Sequence, residues 1–204
     1  MNYEELGREH IVTPANLLTL SRPLIGAEVG RRLLAGETDV TPLVLVMAAT
    51  DAEGFIARLM DKHLPQLERG STHNGQIWDP IADTVAFLEV SSAALKAPYV
   101  SKPAKLAVGI MLASEAVKAT WATISNVKHR LKTGQQLDIR PGMLGKTATG
   151  FKFTAVALAV ATNDLEPCQA RRQLGIAAIG AALSGAVLGE KARRGYSALL
   201  QEES

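Results

Sequence analysis

Six apolar stretches, each rich in alanine and leucine and separated by polar punctuation, do most to limit what this chain can fold into. They cover residues 17–34, 42–49 running on towards 57, 81–95, 106–124, 149–161 and 174–189. Their β-branched runs are short, so the strand signal is weak. Pro14, Pro42, Pro80 and Pro103 stand near their starts, where a helix tolerates the missing N–H. The pattern predicts an all-α chain of six helices forming a single domain over residues 1–204.

Length then asks whether these helices cross a membrane. A spanning helix needs about 20 mainly apolar residues, so six would use about 120 of the 204 and leave room for loops. Against this, Glu28, Arg31, Arg32, Glu89, Glu115 and Lys118 fall within or beside the stretches, and a charge at the bilayer centre costs at least about 2.5 kcal/mol. Mean hydropathy of +0.09 fits a soluble bundle as well. Only the last stretch is clean: residues 173–189 carry no charge, and Gly175, Gly180, Gly185 and Gly189 are small enough to let neighbouring backbones approach. With a cytoplasmic N-terminus, the loops on that side hold 12 Lys and Arg against 5 on the other, which is the sign expected of cytoplasmic loops. Charge position therefore favours a six-transmembrane-helix bundle with an N-terminal juxtamembrane helix segment, integral to the inner (cytoplasmic) membrane. Residues 1–10 carry Glu4, Glu5, Arg8 and Glu9 in place of a basic start and apolar run, so no signal peptide is expected. A net charge of +2 excludes a field strong enough for nucleic acid, and the lone Cys168 excludes an intrachain disulfide.

Chemistry concentrates between Thr50 and Asp83. The stretch reads Thr50-Asp51-Ala52-Glu53-Gly54-Phe55-Ile56-Ala57-Arg58, then a polar insert over residues 59–74, then Gly75-Gln76-Ile77-Trp78-Asp79-Pro80-Ile81-Ala82-Asp83. Asp79 and Asp83 are four apart and stack on one helix face, where bare carboxylates repel unless a cation lies between them. Oxygen-only ligands favour Mg²⁺ or Mn²⁺, and Asp51 and Glu53 at the end of the preceding stretch can complete such a cage. Gly54 and Ala57 leave a recess beside Arg58, whose guanidinium suits a phosphate. The plainer alternative for Asp79-Pro80 is a helix start, with Asp79 as N-cap and Asp83 as a first-turn acid. His63 and His73 read as solvated insert residues, and Glu115 pairs with Lys118 or bonds across the bundle interior.

Together these residues resemble the CDP-alcohol phosphatidyltransferase family, nearest to its phosphatidylglycerophosphate synthase type. The family carries D-x-x-D-G-x-x-A-R followed by G-x-x-x-D-x-x-x-D, and Gly54, Ala57, Arg58, Gly75, Asp79 and Asp83 stand in that order. Asn16-Leu17-Leu18-Thr19-Leu20-Ser21-Arg22 is similar to its N-x-L-T-x-x-R, and Gly145-Lys146-Thr147-Ala148-Thr149 to its G-K-x-K-T. In strict register its first two aspartates fall on Thr50 and Glu53, with Asp51 as the substitute. The insert over 59–74 is twice the usual length, and Ala148 replaces a lysine.

The resemblance implies transfer of a phosphatidyl group from a CDP-diacylglycerol-like lipid to a polar alcohol, with release of CMP, at a site facing the cytoplasm. It implies Asp51 or Thr50, Glu53, Asp79 and Asp83 around Mg²⁺ or Mn²⁺, with Asp83 as base. Gly54, Ala57, Arg58 and Gly75 would belong to the nucleotide site, and Lys146, Arg140 and Arg22 would offer charge to a phosphorylated acceptor such as glycerol 3-phosphate. A homodimer among membrane lipids is the implied assembly. The altered first carboxylate pair admits an alternative, a member that kept the fold, lost catalysis and acts as a membrane binding or regulatory protein.

Overall fold

The computed structural model describes residues 14–50, 73–134 and 143–202, and all its regular structure there is helical. The helices are α1 (Pro14–Ala35), α2 (Thr41–Thr50), α3 (His73–Lys96), α4 (Lys102–Thr133), α5 (Met143–Ala161) and α6 (Gln169–Glu202). They fall into two compact units, Met1–Lys96 with α1 to α3 and Ala97–Ser204 with α4 to α6.

Six helices are present among the described residues, but the six-span bundle expected from the sequence is overturned. Among the described residues one helix is long and apolar enough to cross a membrane, over Gln169–Ser197 in α6. The reasons are length and charge. The described part of α2 is 10 residues, half of what a span needs. Elsewhere the charge count that a tally of loops treats as tolerable sits inside helices: Glu28, Arg31 and Arg32 in α1, Asp83 and Glu89 in α3, Glu115 and Lys118 in α4, and Lys146 and Lys152 in α5. The juxtamembrane segment before residue 14 and most of the 59–74 insert lie outside the described residues.

In the first unit α1 ends in a Schellman turn. Gly36 takes φ 72°, its N–H donates to the Leu33 carbonyl, and the Glu37 N–H donates to that of Arg32. The same turn gathers charge: Glu28 accepts from Arg31 at 2.8 Å and Arg32 at 2.7 Å, and those hydrogen bonds hold its carboxyl down to about 2. Val29 and Leu33 of α1, Val44 and Met47 of α2, and Ala86, Phe87, Val90 and Ala94 of α3 form the core. α1 and α3 run parallel and close, because a Cβ at Gly26 would stand 3.0 Å from the Ala86 Cα and one at Gly30 3.5 Å from the Ala93 Cβ.

The second unit is fixed at its α4 end. Ser101 caps α4 by accepting from the Ala104 N–H, and its own N–H donates to Thr162 Oγ1, which donates in turn to the Ala159 carbonyl at the end of α5. Thr162 is fully buried, so this chain of bonds satisfies polar atoms that have no water. Gly134, at φ 73°, closes α4. Three of the four glycines in the uncharged run of α6 meet neighbours as their size suggested: Gly175 against Ser101 and Pro103, Gly185 against Ala148 and Phe151, Gly189 against Lys118. Gly180 has open space.

Candidate functional site

The first unit brings two distant motifs together at one point. Arg22 Nη1 donates to Asp83 Oδ1 at 2.6 Å, joining α1 to α3 across 61 positions of sequence. The Arg22 side chain is 3% exposed and that of Asp83 28%. A guanidinium withdrawn that far from water requires a carboxylate partner, and the parallel α1–α3 seam provides one: Arg22 and Gly26 lie a turn apart on α1, opposite Asp83 and Ala86 on α3. Arg22 was read from the sequence as charge for a phosphorylated acceptor. Its pairing with Asp83 is the feature that sequence reasoning missed, and the only available signal was that each residue closes a motif.

Asp79 lies on α3 one turn before Asp83, and Gly75 one turn before that. Since α3 begins at His73, Asp79 and Pro80 stand well inside the helix, which overturns the reading of Asp79 as its N-cap and of His73 as an insert-loop residue. Pro80 has no N–H to offer the Gln76 carbonyl, so α3 runs through a missing rung one turn ahead of Asp83. Asp51, Glu53, Gly54, Ala57 and Arg58 lie outside the described residues, as does Arg140; Thr50 is the last residue of α2. Lys146 is exposed on the first turn of α5, in the second unit. Ala148, in the place of the absent family lysine, is buried.

A second acid in the first unit was read only as a charge that hydropathy disfavours. Glu89, on α3, packs its Oε2 against Gly26, 2.9 Å from where a Cβ would stand, and that oxygen is buried with no hydrogen-bond partner among the described residues. Loss of water pushes its carboxyl above the ordinary carboxylate range.

Among the described residues no group of three or more His, Cys, Asp or Glu is placed to hold a metal ion. Of the predicted ligands only the Asp83 side chain is described. Its carboxylate is partly exposed and all-oxygen, which fits a hard divalent cation, but one oxygen already accepts from Arg22. Glu115 and Lys118 pair at 2.7 Å, as one sequence alternative had it, and Glu115 also reaches Lys152 of α5 at 3.2 Å, as the other had it.

Comparison with protein-family models, curated proteins and solved structures finds no match to this chain.

Proposed function

We propose that the protein transfers a phosphatidyl group from a CDP-linked lipid to a polar alcohol, releasing CMP, at the cytoplasmic face of the inner membrane. The observation that carries this reading is the Arg22–Asp83 pair, in which the last residue of one motif and the last of the other meet at 2.6 Å. α6, the one helix among the described residues fit to span, is consistent with an enzyme whose donor is a lipid.

In this reading Asp83 takes the proton of the acceptor hydroxyl as that oxygen attacks the phosphorus and CMP leaves. Arg22 is a positioning residue: it fixes one carboxylate oxygen and so the plane of the carboxyl group. Gly54, Ala57 and Arg58 receive the cytidine nucleotide, with the two small residues making space and the guanidinium binding phosphate. Asp51, Glu53, Asp79 and Asp83 would hold Mg²⁺ or Mn²⁺, which when bound supplies neutralising charge to the diphosphate.

The test is CMP release from CDP-diacylglycerol with Mg²⁺ or Mn²⁺, assayed with glycerol 3-phosphate, inositol phosphate and serine as acceptors. Release with one acceptor, reduced at least about 100-fold in Asp83→Asn, is the expected result. Undiminished release in Asp83→Asn removes Asp83 as the base. No release with any acceptor favours the alternative of a binding or regulatory protein, to which the replacement of a family aspartate by Thr50 already points.

A further inference from the structure

In the second unit α4 runs on well past the core that it helps to build. Its buried residues, Ala104, Ala107, Val108 and Met111, all lie near its start, yet the helix continues to Thr133 before Gly134 closes it. Along that continuation Val117, Thr120, Ile124, Val127 and Leu131 recur at alternate steps of four and three, the period of a coiled-coil seam. Val117, Ile124 and Val127 are about half exposed and Leu131 is 82% exposed. The Thr120 hydroxyl donates to the Ala116 carbonyl of the same helix, so it brings no unsatisfied donor to the seam.

Position and charge together say what covers this face. α4 and α6 advance side by side in the same direction, with Ala104 beside Gly175, Lys118 beside Gly189 and Trp121 beside Arg193. The uncharged run of α6 ends at Gly189, so Ile124, Val127 and Leu131 are carried about 9 to 20 Å beyond that level. With α6 as a span, the hydrocarbon stops there, and α4 rises along the axis of the span instead of lying in the plane of the interface as a lipid-bound amphipathic helix does. The seam is also the narrow stripe of helix pairing, not a broad lipid-seeking face. As to charge, α4 has no acid beyond Glu115. Lys128 and Arg130 flank the seam, one position after Val127 and one before Leu131, and Lys132 follows; all three are exposed and none forms an ion pair with another described residue. Such flanking positions select the partner of a two-helix seam. A second copy of this face would bring the same cations and no acid to meet them.

We propose that the end of α4 is a docking surface for an amphipathic helix of another protein, one whose apolar seam is flanked by Asp or Glu. Val117, Ile124, Val127 and Leu131 supply the apolar contact, and Lys128 and Arg130 read the acidic flanks. The surface lies wholly within the second unit and does not depend on the transfer reaction proposed above.

The test uses the full chain in phosphatidylcholine nanodiscs and two labelled synthetic helices with the same Ile and Leu seam, one flanked by Glu and the other by Lys. Fluorescence anisotropy is expected to show saturable binding of the acidic helix, at least about tenfold tighter than that of the basic one and weakened by salt. Ile124→Glu and Val127→Glu, at exposed positions and with thermal midpoints that report their folding, should each weaken it at least about tenfold. Lys128→Glu combined with Arg130→Glu should reverse the preference between the two helices. Binding of neither helix, equal binding of both, or binding unchanged in Ile124→Glu overturns the proposal. So does light scattering in detergent that shows a dimer lost in Ile124→Glu, which makes a second copy the occupant. Flotation of the nanodisc-held chain with phosphatidylserine vesicles, lost in the same variant, overturns it in favour of an anionic membrane surface. CMP release enters none of these readouts, so failure here is distinct from failure of the transfer reaction.

Discussion

Arg22 is the residue around which the first unit is arranged, because a nearly buried guanidinium dictates what must face it. Removing one partner of such a pair leaves a charge without compensation, which costs about 3–5 kcal/mol when both partners are buried. Asp83 retains contact with water, so a smaller loss of about 1–3 kcal/mol is expected for Arg22→Met. Asp83→Asn in the same chain should recover part of it, and a double-mutant cycle on chemical denaturation measures the coupling. Additive losses would mean that the two side chains do not stabilise each other. Glu89, two turns along α3, behaves in the opposite sense. Its raised carboxyl favours the protonated form in the folded protein, so its contribution is fully present below the ordinary carboxylate range and is lost as pH rises through the raised value. Glu89→Gln should therefore raise the thermal midpoint at pH 7, by about 2–4 °C for each kcal/mol relieved, and leave it almost unchanged near pH 4. Equal shifts at both pH values would show that burial of the charge is not the cause.

At the scale of elements, the α1–α3 and α6 seams are set by where glycine is required and where it is not. A methyl group at Gly26 meets the Ala86 Cα at 3.0 Å and Glu89 Oε2 at 2.9 Å, so the helices must separate. At Gly180 it meets nothing. Gly26→Ala is expected to cost about 1–3 kcal/mol by overpacking, whereas Gly180→Ala gains about 0.5–1 kcal/mol of helix propensity. Thermal denaturation of the two variants checks the contrast in sign. This division was half legible: the α6 glycines stand out in an uncharged run, while Gly26 lies among Glu28, Arg31 and Arg32 and draws no attention. Helix existence was legible for all six elements and helix ends were not. An apolar run marks the buried part of a helix, so α4 was read as 106–124 although its polar last turns continue to Thr133, where Gly134 closes it. α3 was read from residue 81 although it begins at His73, since Pro80 looks like a start. The Arg22–Asp83 pair was beyond reach for a different reason, because nothing in local spacing says which of two motifs 61 residues apart will face the other.

For the whole molecule the open physical choice is whether α6 lies in lipid or in a protein core, and its own charges frame the answer. Residues 173–189 are uncharged and, at 1.5 Å per residue, run about 25 Å, slightly short of the hydrocarbon thickness of about 30 Å. Arg172 stands exposed at one end and Lys191 and Arg194 at the other, where long side chains reach the interfaces and make up the shortfall. Only 28% of its most apolar window is buried within the protein, and Ile176, Leu183 and Val187 are about half exposed, so most of this surface has no protein cover. A core helix would show the reverse. If α6 spans, a charge at its middle should be far more costly than one at its edge: Leu183→Arg costs about 2.5–3.5 kcal/mol of insertion, a factor of roughly 60 or more in partition, while Gln173→Arg beside Arg172 costs almost nothing. Alkaline carbonate extraction of membranes from expressing cells should keep the unsubstituted chain and Gln173→Arg in the pellet and release much of Leu183→Arg. Release of the unsubstituted chain without detergent would make α6 a helix that binds protein with its apolar face, and would remove the membrane from the proposed reaction.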